Sequence, residues 1–116
     1  MNISSKQHGS VDVVQLPQRL VMANATAVRK ELLEMVALGH HFLVLDLAGT
    51  TSVDSSGLSV LVSALMAANK VNGKVALLKP TNGVRALIEL TRMHEVFAIF
   101  ADQEAAIDQL TQEAAA

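Results

Sequence analysis

The chain has 116 residues, 51% of them hydrophobic, with a formal net charge of −2, enough apolar material for one compact domain with its own core. Its nine basic residues form no run, and three Phe without Trp or Tyr provide no stacking platform, which argues against a nucleic-acid surface. The lack of cysteine excludes disulfides, thiolate chemistry and Cys-based zinc sites, and the start Met1-Asn2-Ile3-Ser4-Ser5-Lys6 has no apolar segment of the signal-peptide kind, so a cytoplasmic protein is expected.

Along the chain, Ile3 to His8 and Val11 to Leu16 flank Gly9-Ser10 and predict an antiparallel hairpin closed by Pro17. Asn24 is placed to cap a helix in which Ala25, Val28, Leu32, Met35 and Val36 recur at helical spacing, with Gly39 as its stop. The run Phe42 to Leu47, interrupted by Asp46 alone, predicts a buried central strand. After a polar loop, Leu58, Leu61, Val62 and Leu65 define the inner face of a second helix. That helix lies in the longest mostly apolar stretch, Leu58 to Ala68, which is too short to span a bilayer. Asn72-Gly73 turns into a strand at Lys74 to Leu78, and Pro80-Thr81-Asn82 opens a third helix carrying Val84, Leu87, Ile88 and Thr91. A strand at Val96 to Phe100 and a helix from about Asp102 to Gln112 follow, with the alanine tail expected to fray. The alternation predicts an α/β fold: one mixed sheet, an antiparallel hairpin and then parallel β-α-β crossovers, packed with about four helices. Its domain would span residues 1–116, with a core of about 11–110 that includes Val44, Leu45, Leu61, Leu65, Leu87 and Ile88.

The most informative segment is Val53-Asp54-Ser55-Ser56-Gly57-Leu58, where two hydroxyls sit between a strand and a helix. Functional groups collect at the carboxyl ends of strands in such sheets, and a helix N-terminus stabilises negative charge through free N–H groups and the helix dipole. Local chemistry fits either a plain helix cap or a serine that carries phosphate. The face of the second helix opposite its apolar stripe holds Ser59, Val60, Ser63, Ala64, Ala67 and Val71, with Lys70 its one charge. This reads either as small helix formers or as a partner-docking surface beside the loop. Other chemistries fit poorly. Ser55 lacks the upstream glycine of a nucleophile elbow, no phosphate-binding loop with its Lys is present, and His40-His41 reads as a solvent-facing loop with no carboxylate at ligand spacing. No catalytic residue, metal or cofactor is therefore predicted, and a hydrolase using Ser55 has no identifiable His and acid partner.

The element order, the run Phe42 to Leu47, the pentapeptide Asp54-Ser55-Ser56-Gly57-Leu58 and the segment Val84 to Thr91 together resemble the STAS domain, the anti-sigma factor antagonist family of bacteria. The resemblance runs from about Val11 to Leu110. It implies a single STAS domain without enzymatic activity, a phosphoprotein acting by partner switching in transcription control. Ser55 would be phosphorylated by a serine kinase that doubles as anti-sigma factor, and a metal-dependent serine phosphatase would remove the phosphate. Ser55 could cap its helix in one state and carry phosphate in the other. Asp54, Ser56 and Gly57 would shape the switch loop, and Ser59, Val60, Ser63, Ala64 and Ala67 would line the docking face. The alternative is an unphosphorylated STAS subunit of a membrane transport assembly, an ABC-type lipid or anion transporter, itself not inserted in the membrane. Two segments depart from the family pattern. Gln18-Arg19-Leu20-Val21 stands where Gly-Glu-Leu/Ile-Asp is usual, and Thr91-Arg92-Met93 puts a side chain where a glycine would suit positive φ.

Overall fold

The computed structural model describes residues 2–116. Its elements are β1 (Ser4–His8), β2 (Val11–Gln15), β3 (Arg19–Leu20), α1 (Met22–Ala37), β4 (Phe42–Asp46), β5 (Ser52–Val53), α2 (Ser55–Lys70), β6 (Lys74–Leu78), α3 (Asn82–Leu90), a 3-10 turn (Met93–Glu95), β7 (Ala98–Phe100) and α4 (Gln103–Ala115). The main sheet has the order β1-β2-β4-β6-β7, antiparallel between β1 and β2 and parallel elsewhere. This is the α/β architecture that the alternation of elements predicts.

The strand period sorts the core into two layers. Val14, Leu43, Leu45, Val75 and Leu77 face α1, α2 and α3, where they meet Val28, Leu32, Leu61 and Ile88. Val11, Val13, Val44, Ala76 and Leu78 face α4 and pack on Ala106 and Leu110. Of the residues expected in the core, Val44, Leu45, Leu61 and Ile88 are buried, while Leu65 and Leu87 are half-buried.

Several boundaries and faces differ from the sequence reading. Helix α1 starts at Met22, ahead of Asn24. Asn24 still closes its first turn, accepting the N–H of Val21 at 3.0 Å from the third helical position. Strand β7 starts later than expected because Arg92 takes the left-handed conformation, φ 61°, and opens the 3-10 turn. That position does need positive φ, and Arg92 occupies it with its guanidinium 2.7 Å from Glu95. Helix α4 continues through Ala115 where fraying was expected. Alanine is the best helix former, and Glu113 near the helix end lies 3.1 Å from Lys74 Nζ.

The largest correction concerns the outer face of α2. Val60 and Ala64 are buried, not exposed, because α1 and α2 pack side by side on the same face of the sheet. Helix α2 therefore buries two neighbouring faces, and its small residues let α1 approach closely. His40 is not a free loop residue either: its Nδ1 lies 2.9 Å from Oδ2 of Asp12, a carboxylate buried on β2.

Candidate functional site: the junction of two helix N-termini

The segment after β4 is held by side-chain to backbone hydrogen bonds before it reaches the serines. Asp46 Oδ1 accepts the N–H of Ala48 at 2.9 Å, and the buried Thr50 donates its hydroxyl to the carbonyl of Pro17 at 2.8 Å. Thr81, before α3, donates in turn to the carbonyl of Thr50 at 2.9 Å. The chain then forms β5, which pairs in parallel with β3, Arg19 opposite Ser52 and Leu20 opposite Val53. These two-residue strands carry no periodic signal and escape a reading by pattern. They dock the segment before α1 beside the segment before α2, so both helices begin at one place.

Asp54 joins those beginnings. It has extended backbone at the N-cap of α2, where Oδ1 accepts the N–H of Gly57 at 2.9 Å, and its Oδ2 accepts the N–H of Met22 at 2.9 Å. Four N–H groups at each helix start lack intrahelical partners, and one carboxylate satisfies one from each helix. The Gly57 N–H and then the Met22 N–H hold the Asp54 carboxyl below its ordinary value, since both bonds favour the charged form.

Capping by Asp54 leaves Ser55 without that duty. Ser55 is the first residue of α2 and is exposed, while Ser56 is half-buried. Gly57 is buried with its Cα against the Leu20 backbone, and an added methyl would overlap the Leu20 carbonyl oxygen. The pattern Asp-Ser-Ser-Gly thus has a physical reading here: a bridging cap, an exposed serine, a half-buried serine, and a residue that must have no side chain because β3 passes over it.

Of the other residues expected at a docking face, Ser59 is exposed and Ser63 and Ala67 are half-buried. Ser63 donates to the carbonyl of Ser59 at 2.9 Å. Arg29 of α1, absent from the sequence reading, reaches across with Nη2 3.3 Å from Ser59 Oγ and Nε 3.3 Å from Ser63 Oγ. Its place on the seam between α1 and α2 is fixed by tertiary packing, for which the sequence offers no local signal.

Comparison with known proteins shows the family and the fold. The family that matches is the STAS domain, over residues 2–106. Curated proteins give no match. Among solved structures, a candidate anti-sigma factor antagonist from Thermotoga maritima is similar at 23% identity and TM-score 0.88, covering 94% of each chain. The anti-sigma factor antagonist SpoIIAA in its unphosphorylated form is similar at 19% identity and TM-score 0.83, covering 95% of this chain and 96% of that one. The murine anion transporter Slc26a9 contains a similar part at 19% identity and TM-score 0.77, covering 92% of this chain and 18% of the transporter. At these identities the likeness is one of fold.

Proposed function

We propose, since the chain belongs to the STAS domain family over nearly its whole length, that it is a phosphorylation-controlled partner-switching protein of the anti-sigma factor antagonist kind, with Ser55 as acceptor. The observation that carries this reading is the division of labour at the helix start. Asp54 caps α2, so the Ser55 hydroxyl stands exposed at the first helical position, where N–H groups and the helix dipole favour an added negative charge.

In this reading a serine kinase, itself the anti-sigma factor, binds the unphosphorylated protein. It transfers the γ-phosphoryl of ATP to Ser55 Oγ: a P–O bond forms to the serine, the hydroxyl proton leaves, and ADP departs. The new dianion breaks the complex, and a metal-dependent serine phosphatase restores the hydroxyl by hydrolysis. Partner contact would involve Ser56, Ser59, Ser63 and Ala67, the accessible part of the face beside the switch loop. The protein acts as a regulator in the bacterial cytoplasm, with no catalytic residue of its own.

Mass spectrometry of the protein from its native cells tests the reading directly: phosphate at Ser55 is expected, and an exclusively unmodified Ser55 under every growth condition counts against it. The second reading, a subunit of a transport assembly, is supported by the likeness to part of Slc26a9. Co-purification with a membrane transporter, from cells in which Ser55 is never phosphorylated, would favour it.

A further inference from the structure

Between the first turns of α1 and α2 lies an open cleft of about 310 Å³, bordered by the hydroxyl-bearing residues Thr26, Ser55, Ser56 and Ser59 and by Arg29. Met22 and Ala25 form its apolar wall. We propose that this cleft is a phosphate-holding pocket and that Arg29 is its positioning residue, turning from Ser59 and Ser63 to the phosphoryl oxygens once Ser55 is phosphorylated. The inference rests on Ser55 being the acceptor and adds to that reading an internal clamp for the phosphorylated state.

Three observations support it. First, Arg29 is half-buried, and among the described residues no carboxylate pairs with it. It makes two long bonds, both 3.3 Å, to neutral hydroxyls, one to Ser59 in the cleft and one to Ser63 outside it. A guanidinium prefers a planar two-oxygen anion, and charge-assisted bonds to phosphate are shorter and about twice as strong as neutral ones. Second, Ser59 lies one helical turn after Ser55 on the same face of α2. Arg29, which reaches Ser59, therefore approaches the face of α2 that carries the acceptor, and both Arg29 and Ser55 line the cleft. Third, the acid nearest the acceptor is already committed: both Asp54 oxygens accept backbone N–H groups, from Gly57 and Met22. Lys30 and Glu34, the other charged residues beside Arg29 on α1, border a neighbouring groove that shares Thr26 and Arg29 with the cleft. The N-terminus of α2 would favour a phosphate on any first-turn serine; Arg29 is what makes this cleft specific.

The test uses the full chain with phosphoserine installed at position 55 by genetic encoding, in three versions: Arg29 intact, Arg29→Gln and Arg29→Lys. Phosphorus NMR titration reads the second ionisation of the phosphate, ordinarily near about pH 6. With Arg29 intact it should fall lower than in Arg29→Gln by about half a pH unit or more, because the guanidinium favours the dianion. Arg29→Lys should recover part of the difference, since it keeps the charge and loses the fork. Equal titration in all three folded proteins overturns the clamp. If circular dichroism shows that Arg29→Gln does not fold, the Arg29 Nε–H resonance of the intact chain decides instead: it should move on phosphorylation, and an unmoved resonance overturns the proposal. Because no kinase is involved, failure here is separate from failure of a kinase to label Ser55, which would remove the proposed function.

Discussion

Asp54 Oδ2 accepts the backbone N–H of Met22 at 2.9 Å, so the residue that caps α2 also closes the first turn of α1, 32 positions earlier in the chain. The bond is linked to pH. An unfolded aspartate titrates near about pH 3.9, and the Gly57 and Met22 N–H groups hold the folded value lower. A depressed acid contributes stability that is fully present above the unfolded value and is lost as pH falls through the folded one. Asp54→Ala should thus be less stable than the parent in urea at neutral pH, and the gap should narrow below about pH 4. A gap equally wide at the lowest accessible pH would show that the carboxylate charge is not what joins the helices.

Gly57→Ala sets two effects against each other. Alanine gains about 1 kcal/mol of helix propensity over glycine, but its methyl would overlap the Leu20 carbonyl oxygen, a backbone atom that cannot swing aside. Overpacking typically costs about 1–3 kcal/mol, sometimes more, and here relief requires β3 to separate from β5. The variant should unfold at lower urea concentration with an unchanged slope, and a midpoint equal to or above the parent's would mean that the segment yields easily.

Ala64 and Met66 sit two residues apart on α2 and should answer a charge oppositely. Ala64 is 1% exposed beneath α1 and Met66 is 57% exposed. Ala64→Glu buries an unpaired carboxylate and should destabilise by more than about 3 kcal/mol. Met66→Glu should change stability by no more than about 0.5 kcal/mol. Thermal melting distinguishes them; similar values would mean that α2 is rotated relative to α1.

How far the sequence reveals this molecule depends on the range of each signal. Periodicity within one element is local, and it correctly places the hairpin, Lys74–Leu78 as a strand and Leu61 on an inner face. The burial of Val60 and Ala64 is decided by a second helix whose path no local pattern reports. A helix that packs on both a sheet and a neighbour shows one strong stripe and one stripe of small residues, and the latter resembles a solvent face. The Asp-Ser-Ser-Gly loop is legible as a helix start for the same local reason. Its joining to α1 is not, because it requires the two-residue strands β3 and β5.

Asp12 and His40 illustrate the same limit and give a further test. Asp12 lies between Val11 and Val13 on a central strand with its carboxylate buried, and His40 Nδ1 approaches it at 2.9 Å from the turn after α1. Leaving a buried polar group without its partner typically costs about 1–3 kcal/mol, and here that group is the Asp12 carboxylate, since His40 is half-exposed. His40→Ala should lose stability in that range. The double variant Asp12→Asn, His40→Ala should lose less than the sum of the single changes, a non-additivity that calorimetric melting can resolve. Additive losses would indicate that the two side chains do not interact in solution.

The proposed switch would turn on the contrast between a helix end that tolerates charge and a partner interface that does not. Phosphate on Ser55 adds about −1.5 to −2 charge, which the first turn of α2 can hold without unfolding, so circular dichroism should change little. A partner surface fitted to a neutral hydroxyl would have to bury that dianion close to Asp54, at a cost of several kcal/mol. Since about 1.4 kcal/mol is a factor of ten in affinity, kinase binding should fall by at least about a hundredfold. Ser55→Ala should bind constitutively and resist labelling by the cognate kinase and ATP, whereas Ser56→Ala should still be labelled. Ser55→Asp should mimic release only in part, because one carboxylate carries less charge than a phosphate. If the label appears on Ser56, or if Ser55→Ala and Ser55→Asp bind every partner equally, partner switching at Ser55 is wrong and the transport-subunit reading gains the ground.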